Sequence, residues 1–131
     1  MSTSVRPFLM FEGQAEEAMN FYVSLVPGSR VIDLRRYGKG EAGAEGTVML
    51  ATFSIGGQTV MCIDSYVKHD FTFTPAFSFF VDCESEEELR RLASSLLEGG
   101  VALMELDNYG FSRMFTWVND RYGVSWQLNL P

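Results

Sequence analysis

One histidine, two cysteines and a scatter of carboxylates are the groups through which this chain can do chemistry. His69 lies between Lys68 and Asp70 in a polar stretch. An imidazole there is most simply a solvated loop side chain; a rim contact or acid–base work beside Asp70 is the sharper use. Cys62 and Cys83 are too few for a disulfide framework, and their spacing matches no zinc motif. Both read as reduced, packed thiols, and no evident cationic neighbour would lower the pKa of Cys62. The remaining polar candidates, Arg35, Tyr37, Asp64, Ser78, Glu105, Ser125, Gln127 and Asn129, match no catalytic signature. They are the kind of anchors that orient a small molecule, and Trp117 supplies an aromatic wall.

The elements that must position these side chains are written twice. Phe8 and Phe77 stand 69 apart, as do Phe11 and Phe80. After a one-residue slip, Glu16/Glu86, Glu17/Glu87, Met19/Leu89, Tyr22/Leu92, Val26/Leu96 and Val31/Val101 stand 70 apart. Repetition of this kind predicts two copies of one supersecondary unit.

In the first copy, Phe8 to Phe11 predict a strand and Gly13-Gln14 a turn. Ala15, Ala18, Met19, Tyr22 and Leu25 or Val26 then recur at helical spacing, and Pro27-Gly28 stops that helix. Val31 to Tyr37 alternates as a strand, and a glycine-rich loop, Gly38 to Gly46, leads to another at Thr47 to Ser54. Ile55-Gly56-Gly57-Gln58 is a hairpin signal before Thr59 to Asp64. In the second copy, the strand Ala76 to Asp82 precedes a capping box of Ser85 and Glu88. Leu89, Leu92, Ala93, Leu96 and Leu97 form the apolar stripe, Gly99-Gly100 ends the helix, and strands follow at Val101 to Asp107, Ser112 to Val118 and Val124 to Leu130. Each copy is βαβββ. The expected organisation is a single α+β domain over 1–131, with repeats at about 5–64 and 75–131 joined by linker 65–74.

Alternation assigns the faces of the strands. Matching Met61 to Trp126 and Ile63 to Leu128, both 65 apart, places Phe8, Met10, Phe77, Phe79, Met61, Ile63, Trp126 and Leu128 beneath the helices. Ile32 and Leu34 join them. The opposite faces then carry Leu9, Phe11, Ser78, Phe80, Cys62, Asp64, Ser125, Gln127 and Asn129, with Asp33, Arg35, Tyr37, Leu103, Glu105 and Asp107 on the second strands. Arg35 and Glu105, 70 apart, are expected at equivalent places, as a structural ion pair or as anchors for a polar ligand. The strands holding Met49, Ala51 and Phe53 and Arg113, Phe115 and Trp117 are apolar on both faces, so alternation does not assign them a side.

Composition narrows the partners. A net charge of −7 with no basic stripe argues against nucleic acid. No apolar run approaches the ~18 residues that cross a bilayer. Met1 to Arg6 lack a basic segment followed by an apolar one, so no signal peptide is expected and the cytoplasm is the default compartment.

Four phrases, Pro7 to Tyr22 with its helix Glu16-Glu17-Ala18-Met19-Asn20-Phe21-Tyr22, Ser29 to Gly38, Phe53 to Asp64 and the closing Asp120 to Leu128, together with the doubled βαβββ pattern, carry a family resemblance. The chain resembles the vicinal oxygen chelate superfamily of glyoxalase I, extradiol dioxygenases and bleomycin-resistance proteins, and within it the PhnB-like branch, often labelled demethylubiquinone methyltransferase-like. The resemblance implies a curved, mostly antiparallel half-barrel with helices on the outer face, and a homodimer. It implies a divalent ion held by His or Glu on the first and last strands of the modules, which aligns with Pro7, Cys62, Ala76 and Gln127 here. None of these is His, Asp or Glu, so no metal site and no cofactor is expected. The methyltransferase label finds no support in the glycine-rich stretch, which joins two strands with no helix start to hold a methyl donor and reads as a lid or rim loop. The expected function is therefore a metal-independent small-molecule binder. The alternative is a divalent-metal lyase, isomerase or dioxygenase with non-standard ligands such as Asp64, Glu105, Asp107 or His69.

Overall fold

A computed structural model describes residues 2–131, and the chain divides into two compact units between His69 and Asp70. The first contains β1 (Phe8–Phe11), α1 (Ala15–Leu25), β2 (Arg30–Arg36), β3 (Val48–Ile55) and β4 (Gln58–Asp64). The second contains β5 (Ser78–Asp82), α2 (Glu86–Leu97), β6 (Val101–Asp107), β7 (Met114–Asn119) and β8 (Ser125–Leu130). Both have the expected βαβββ order, and both sheets follow one plan, β1-β4-β3-β2 and β5-β8-β7-β6. The first strand of each module runs parallel to the last, and all other pairings are antiparallel. The fold is α+β.

The two helices begin differently. Ser85 accepts the Glu88 amide at 3.1 Å, as the capping box requires, while the Glu88 carboxylate turns back to the amide of Glu84 at 3.0 Å. Gln14 gives α1 no side-chain cap. Asp64, at the end of β4, does so from a distance: its Oδ1 accepts the amides of Gly13 at 2.8 Å and Ala15 at 2.9 Å. Its Oδ2 accepts the Val48 amide at 2.9 Å, tying the start of β3 to the same carboxylate.

Alternation gave the right faces for the closing strand of the second module and the wrong ones for the first and last strands of the first. In the second, Trp126 and Leu128 lie buried on the side where α2 packs, as expected, with Leu130 beside them, and the Phe79 ring meets that of Trp126 at 4.9 Å; Phe77, expected there too, is 58% exposed, just before β5 begins. In the first, Leu9 is 4% exposed and Phe8 52%, and Val60, Cys62 and Asp64 are buried while Met61 and Ile63 are only half-buried. The Tyr22 ring of α1 lies 6.5 Å from that of Phe53, whose strand neighbour is Val60. Leu9, Phe11, Val60, Cys62 and Asp64 therefore lie under α1, which corrects the expected assignment. The buried sets of β4 and β8 stand 66 apart, and an alignment offset of 65 exchanges the two faces of a strand. Ile32, expected beneath the helix, is 44% exposed because a register shift between Val31 and Asp33 turns it out. Leu34 pairs with Ala51 on the helix side as expected, and Arg36 on that side makes a two-pronged contact with Glu16 of α1 at 2.6 and 2.9 Å.

Candidate functional site

The strand registers of the second module set a lattice of side chains on the face turned away from α2. Ser78, Ser125 and Asn119 are direct neighbours across β5, β8 and β7. Phe80, Gln127 and Trp117 form the next row, and Asp82, Asn129 and Phe115 the third. Parity puts these on one side because each strand contributes alternate residues. The side of Trp117 and Phe115, open from sequence alone, is fixed by the hydrogen bond of the Trp117 indole N–H to Ser125 Oγ at 2.7 Å.

A polar network sits at the centre of this lattice. Ser125, 1% exposed, lies 2.8 Å from the Ser78 hydroxyl, and the Gln127 amide donates to Ser78 Oγ at 3.3 Å. Asn129 donates to Asp82 at 2.9 Å, so the one charged group of the lattice is already engaged. Asn119 Oδ1 is buried without a hydrogen-bond partner, an acceptor that a bound group or water with a donor would satisfy. Aromatic rings adjoin the network. Phe80 is 56% exposed and lies 6.4 Å from Phe115, and Phe111 meets Phe115 edge-on at 5.0 Å. Tyr109 stacks on Phe111 at 6.2 Å. Ser78, Trp117, Ser125, Gln127 and Asn129 are thus brought together as candidates. Phe80, expected on this face, joins them; Asn119 and Phe115 belong with them and were not assigned a side, because β7 is apolar on both faces and its side follows from a register that sequence does not specify.

The other candidates lie elsewhere. Cys62 and Asp64 were expected on the face away from the helix; both point into the core beneath α1. Burial pushes the Cys62 thiol up to about 12, with the Asp64 carboxylate adding to the effect, so it is a poor nucleophile and a poor soft ligand at neutral pH. Asp64 is occupied by its three backbone amides. Arg35, exposed, lies 3.6 Å from Asp33 within its own module. Tyr37 lies against Gly43, at a distance that leaves no room for a side chain there, and its ring meets Tyr66 edge-on at 6.3 Å. The glycine-rich segment is closed by Tyr37 N–H to Thr47 at 2.8 Å, by Gly46 N–H to Tyr37 at 2.9 Å and by the Gly38 amide on Glu41. Glu105 does not take a place equivalent to Arg35: shifts in the β6–β7 register put it on the helix side, at a cleft of about 350 Å³ with Arg90 and Leu97 of α2 and Ala102, Leu106 and Thr116. His69 Nε2 lies 2.9 Å from Ser65 Oγ, a hydroxyl that also binds the backbone of Val67 at 3.0 and 3.2 Å. The His69 backbone N–H donates to Glu12 at 3.4 Å, so these contacts close a turn. Among the described residues, no three His, Cys, Asp or Glu side chains converge to hold a metal ion.

A family model described as 3-demethylubiquinone-9 3-methyltransferase matches residues 3–129. Among solved structures, a PhnB protein from Bacillus cereus is 54% identical with a TM-score of 0.96, over 98% of this chain and all of the other. A Pseudomonas aeruginosa protein is 26% identical with a TM-score of 0.84, over 98% of both chains. A glyoxylase/bleomycin resistance protein/dioxygenase domain from Frankia shares the fold at 13% identity and a TM-score of 0.62, over 99% of this chain and 98% of that one. No curated protein matches the chain.

Proposed function

The chain belongs to the 3-demethylubiquinone-9 3-methyltransferase family, the PhnB-like branch of the vicinal oxygen chelate superfamily, and from that premise we propose that it binds a small molecule without a resident metal ion. The observation that carries this reading is the Ser78–Ser125–Trp117–Gln127 network, half-buried among aromatic rings on the face away from α2. A few convergent polar groups in apolar surroundings are what a small-molecule site needs.

The superfamily's ion does not fit the residues present. Pro7 and Ala76 have no donor side chain, Cys62 is turned into the core with its proton firmly held, and the Gln127 amide is engaged with Ser78. A lone amide oxygen would be a weak ligand for a divalent cation. Methyl transfer, which the family description names, would require a bound methyl donor. The glycine-rich stretch runs between β2 and β3, with no helix start after it to hold such a donor.

The functional form in this reading is a homodimer. Phe8 and Phe77 are each more than half exposed, and large aromatic side chains of this kind are commonly covered by a partner. No helix among the described residues is long and apolar enough to cross a membrane, and we place the protein in the cytoplasm, where its two thiols stay reduced.

Native mass spectrometry of protein isolated without chelator tests these points together. The expected spectrum shows twice the chain mass, no stoichiometric metal, and an added small organic mass in part of the population. A stoichiometric metal ion would overturn the metal-free reading and favour a lyase, isomerase or dioxygenase.

A further inference from the structure

The hydrogen-bond protons of the second-module network do not balance within the protein, and the imbalance identifies what a ligand must bring. Ser125 Oγ already accepts the Trp117 N–H at 2.7 Å. Its own proton needs an acceptor, because the residue is 1% exposed and a buried donor left unmade is costly. The acceptor within reach is Ser78 Oγ at 2.8 Å, so Ser125 donates to Ser78. Ser78 Oγ also accepts from the Gln127 amide at 3.3 Å. With both lone pairs taken, Ser78 has one O–H left to give, and Ser78 itself is only half-buried.

What surrounds that donor restricts its partner. Two residues along β5 is Phe80, and across the sheet from Phe80 stand Gln127 and then Trp117, so the amide is bracketed by two aromatic side chains. The three rows hold no cation: Arg113, one row beyond Phe115, is turned to the carbonyl of Pro131 at 2.6 Å, and the one carboxylate, Asp82, is held by Asn129. An anion would therefore enter with no countercharge and beside a negative group.

We propose that this face selects an uncharged, planar aromatic molecule carrying a carbonyl oxygen, and that this oxygen accepts the outward hydroxyl proton of Ser78. The inference rests on the reading of the face as a binding site and adds the polarity of its central contact. Ser125 and Trp117 are positioning residues that fix the direction of the proton chain. Gln127 completes it by filling the second lone pair.

Two probes of one shape test it: 2-acetylnaphthalene, which has the carbonyl, and 2-ethylnaphthalene, which lacks it. Both are titrated into the full chain while following tryptophan fluorescence, which reports on Trp117 over a background from Trp126, buried on the other face of the sheet. The wild type should bind the ketone about fivefold to tenfold tighter, the ratio one neutral hydrogen bond supports. Ser78→Ala removes the donor and should bring the two affinities together through loss of ketone binding alone. Gln127→Glu keeps Ser78 but offers its proton a carboxylate acceptor, so it too should erase the preference; it serves as the test should Ser78→Ala fail to fold. Ser78→Thr should retain the preference. Equal binding of the two probes by the wild type, or a preference that survives Ser78→Ala or Gln127→Glu, overturns the donor assignment and leaves the binding site standing. Failure of both probes to bind removes the donor assignment and the binding reading together.

Discussion

Asp64 Oδ1 lies 2.9 Å from the amide nitrogen of Ala15, the first residue of α1, across 49 positions of chain. The same oxygen holds Gly13, and the second oxygen holds Val48, so one buried carboxylate joins the start of a helix to two strands. Charge-assisted hydrogen bonds to backbone amides are about twice as strong as neutral ones, and the positive end of a helix adds to them. Asp64→Ala should therefore cost about 3 kcal/mol in urea unfolding, since it leaves three amides without an acceptor. Asp64→Asn, which keeps one carbonyl oxygen, should fall between. A loss below about 0.5 kcal/mol, the level of an ordinary surface substitution, would contradict this role.

The two thiols give a prediction about pH. Burial raises Cys62 to about 12 and Cys83 to about 11, with nearby carboxylates adding to both. A thiol in the unfolded chain ionises near about 8.5. The folded state holds its protons more tightly, so the linked stabilisation is complete below the unfolded value. It is lost as pH rises from there towards 11 and 12, because the unfolded chain alone ionises in that window. Stability should fall over that range, and less steeply in a Cys62→Ala, Cys83→Ala double variant. At pH 7.5 Ellman's reagent should leave both cysteines unmodified in the native protein and titrate both in denaturant. Rapid modification of Cys62 in the folded state would mean that its core position is wrong.

The reversal of faces in the first module has an equally direct consequence. Leu9 is 4% exposed and its neighbour Phe8 is 52% exposed. Leu9→Ala should cost about 2–4 kcal/mol by emptying space beneath α1, whereas Phe8→Ala should cost less than about 1 kcal/mol. The opposite order in thermal or urea unfolding would restore the faces that the sequence alignment implies.

Those faces also show where sequence stops being informative. The element order, the Ser85 cap and the helical stripes were legible because each is a local signal with its own period or spacing. Which side of β4 is covered depends on the offset between the modules, and offsets of 65 and 66 are hardly distinguishable in a weak repeat while giving opposite answers. Trp117, Ser125 and Gln127 were legible as candidates by residue type. Alternation already set Ser78, Ser125 and Gln127 on one face, while the side of Trp117 and the addition of Asn119 needed the cross-strand register. Asp64 was read as a site residue because alternation put it on the face away from the helix. Its structural use was invisible, since the helix it caps lies about 50 residues away and carries no capping signal of its own.

Two glycines with no strained backbone separate a rigid close approach from a soft one. At Gly100, between α2 and β6, a Cβ would collide with the backbone carbonyl oxygen of Asn119 and crowd that of Leu96, and neither can move without disturbing β7 or the helix end. At Gly43 the obstacle is the ring of Tyr37, a side chain free to swing aside. Gly100→Ala should therefore cost about 2–3 kcal/mol, the penalty of forcing atoms into a filled space. Gly43→Ala should leave global stability within about 1 kcal/mol of wild type, the cost being confined to a displaced ring. Its effect should appear locally, as faster proteolysis between Gly38 and Gly46, because Tyr37 would no longer pack into the loop. Equal losses of stability at the two positions would show that the Tyr37 ring is held as firmly as the backbone, and that the glycine-rich segment is part of the core rather than a closed surface loop.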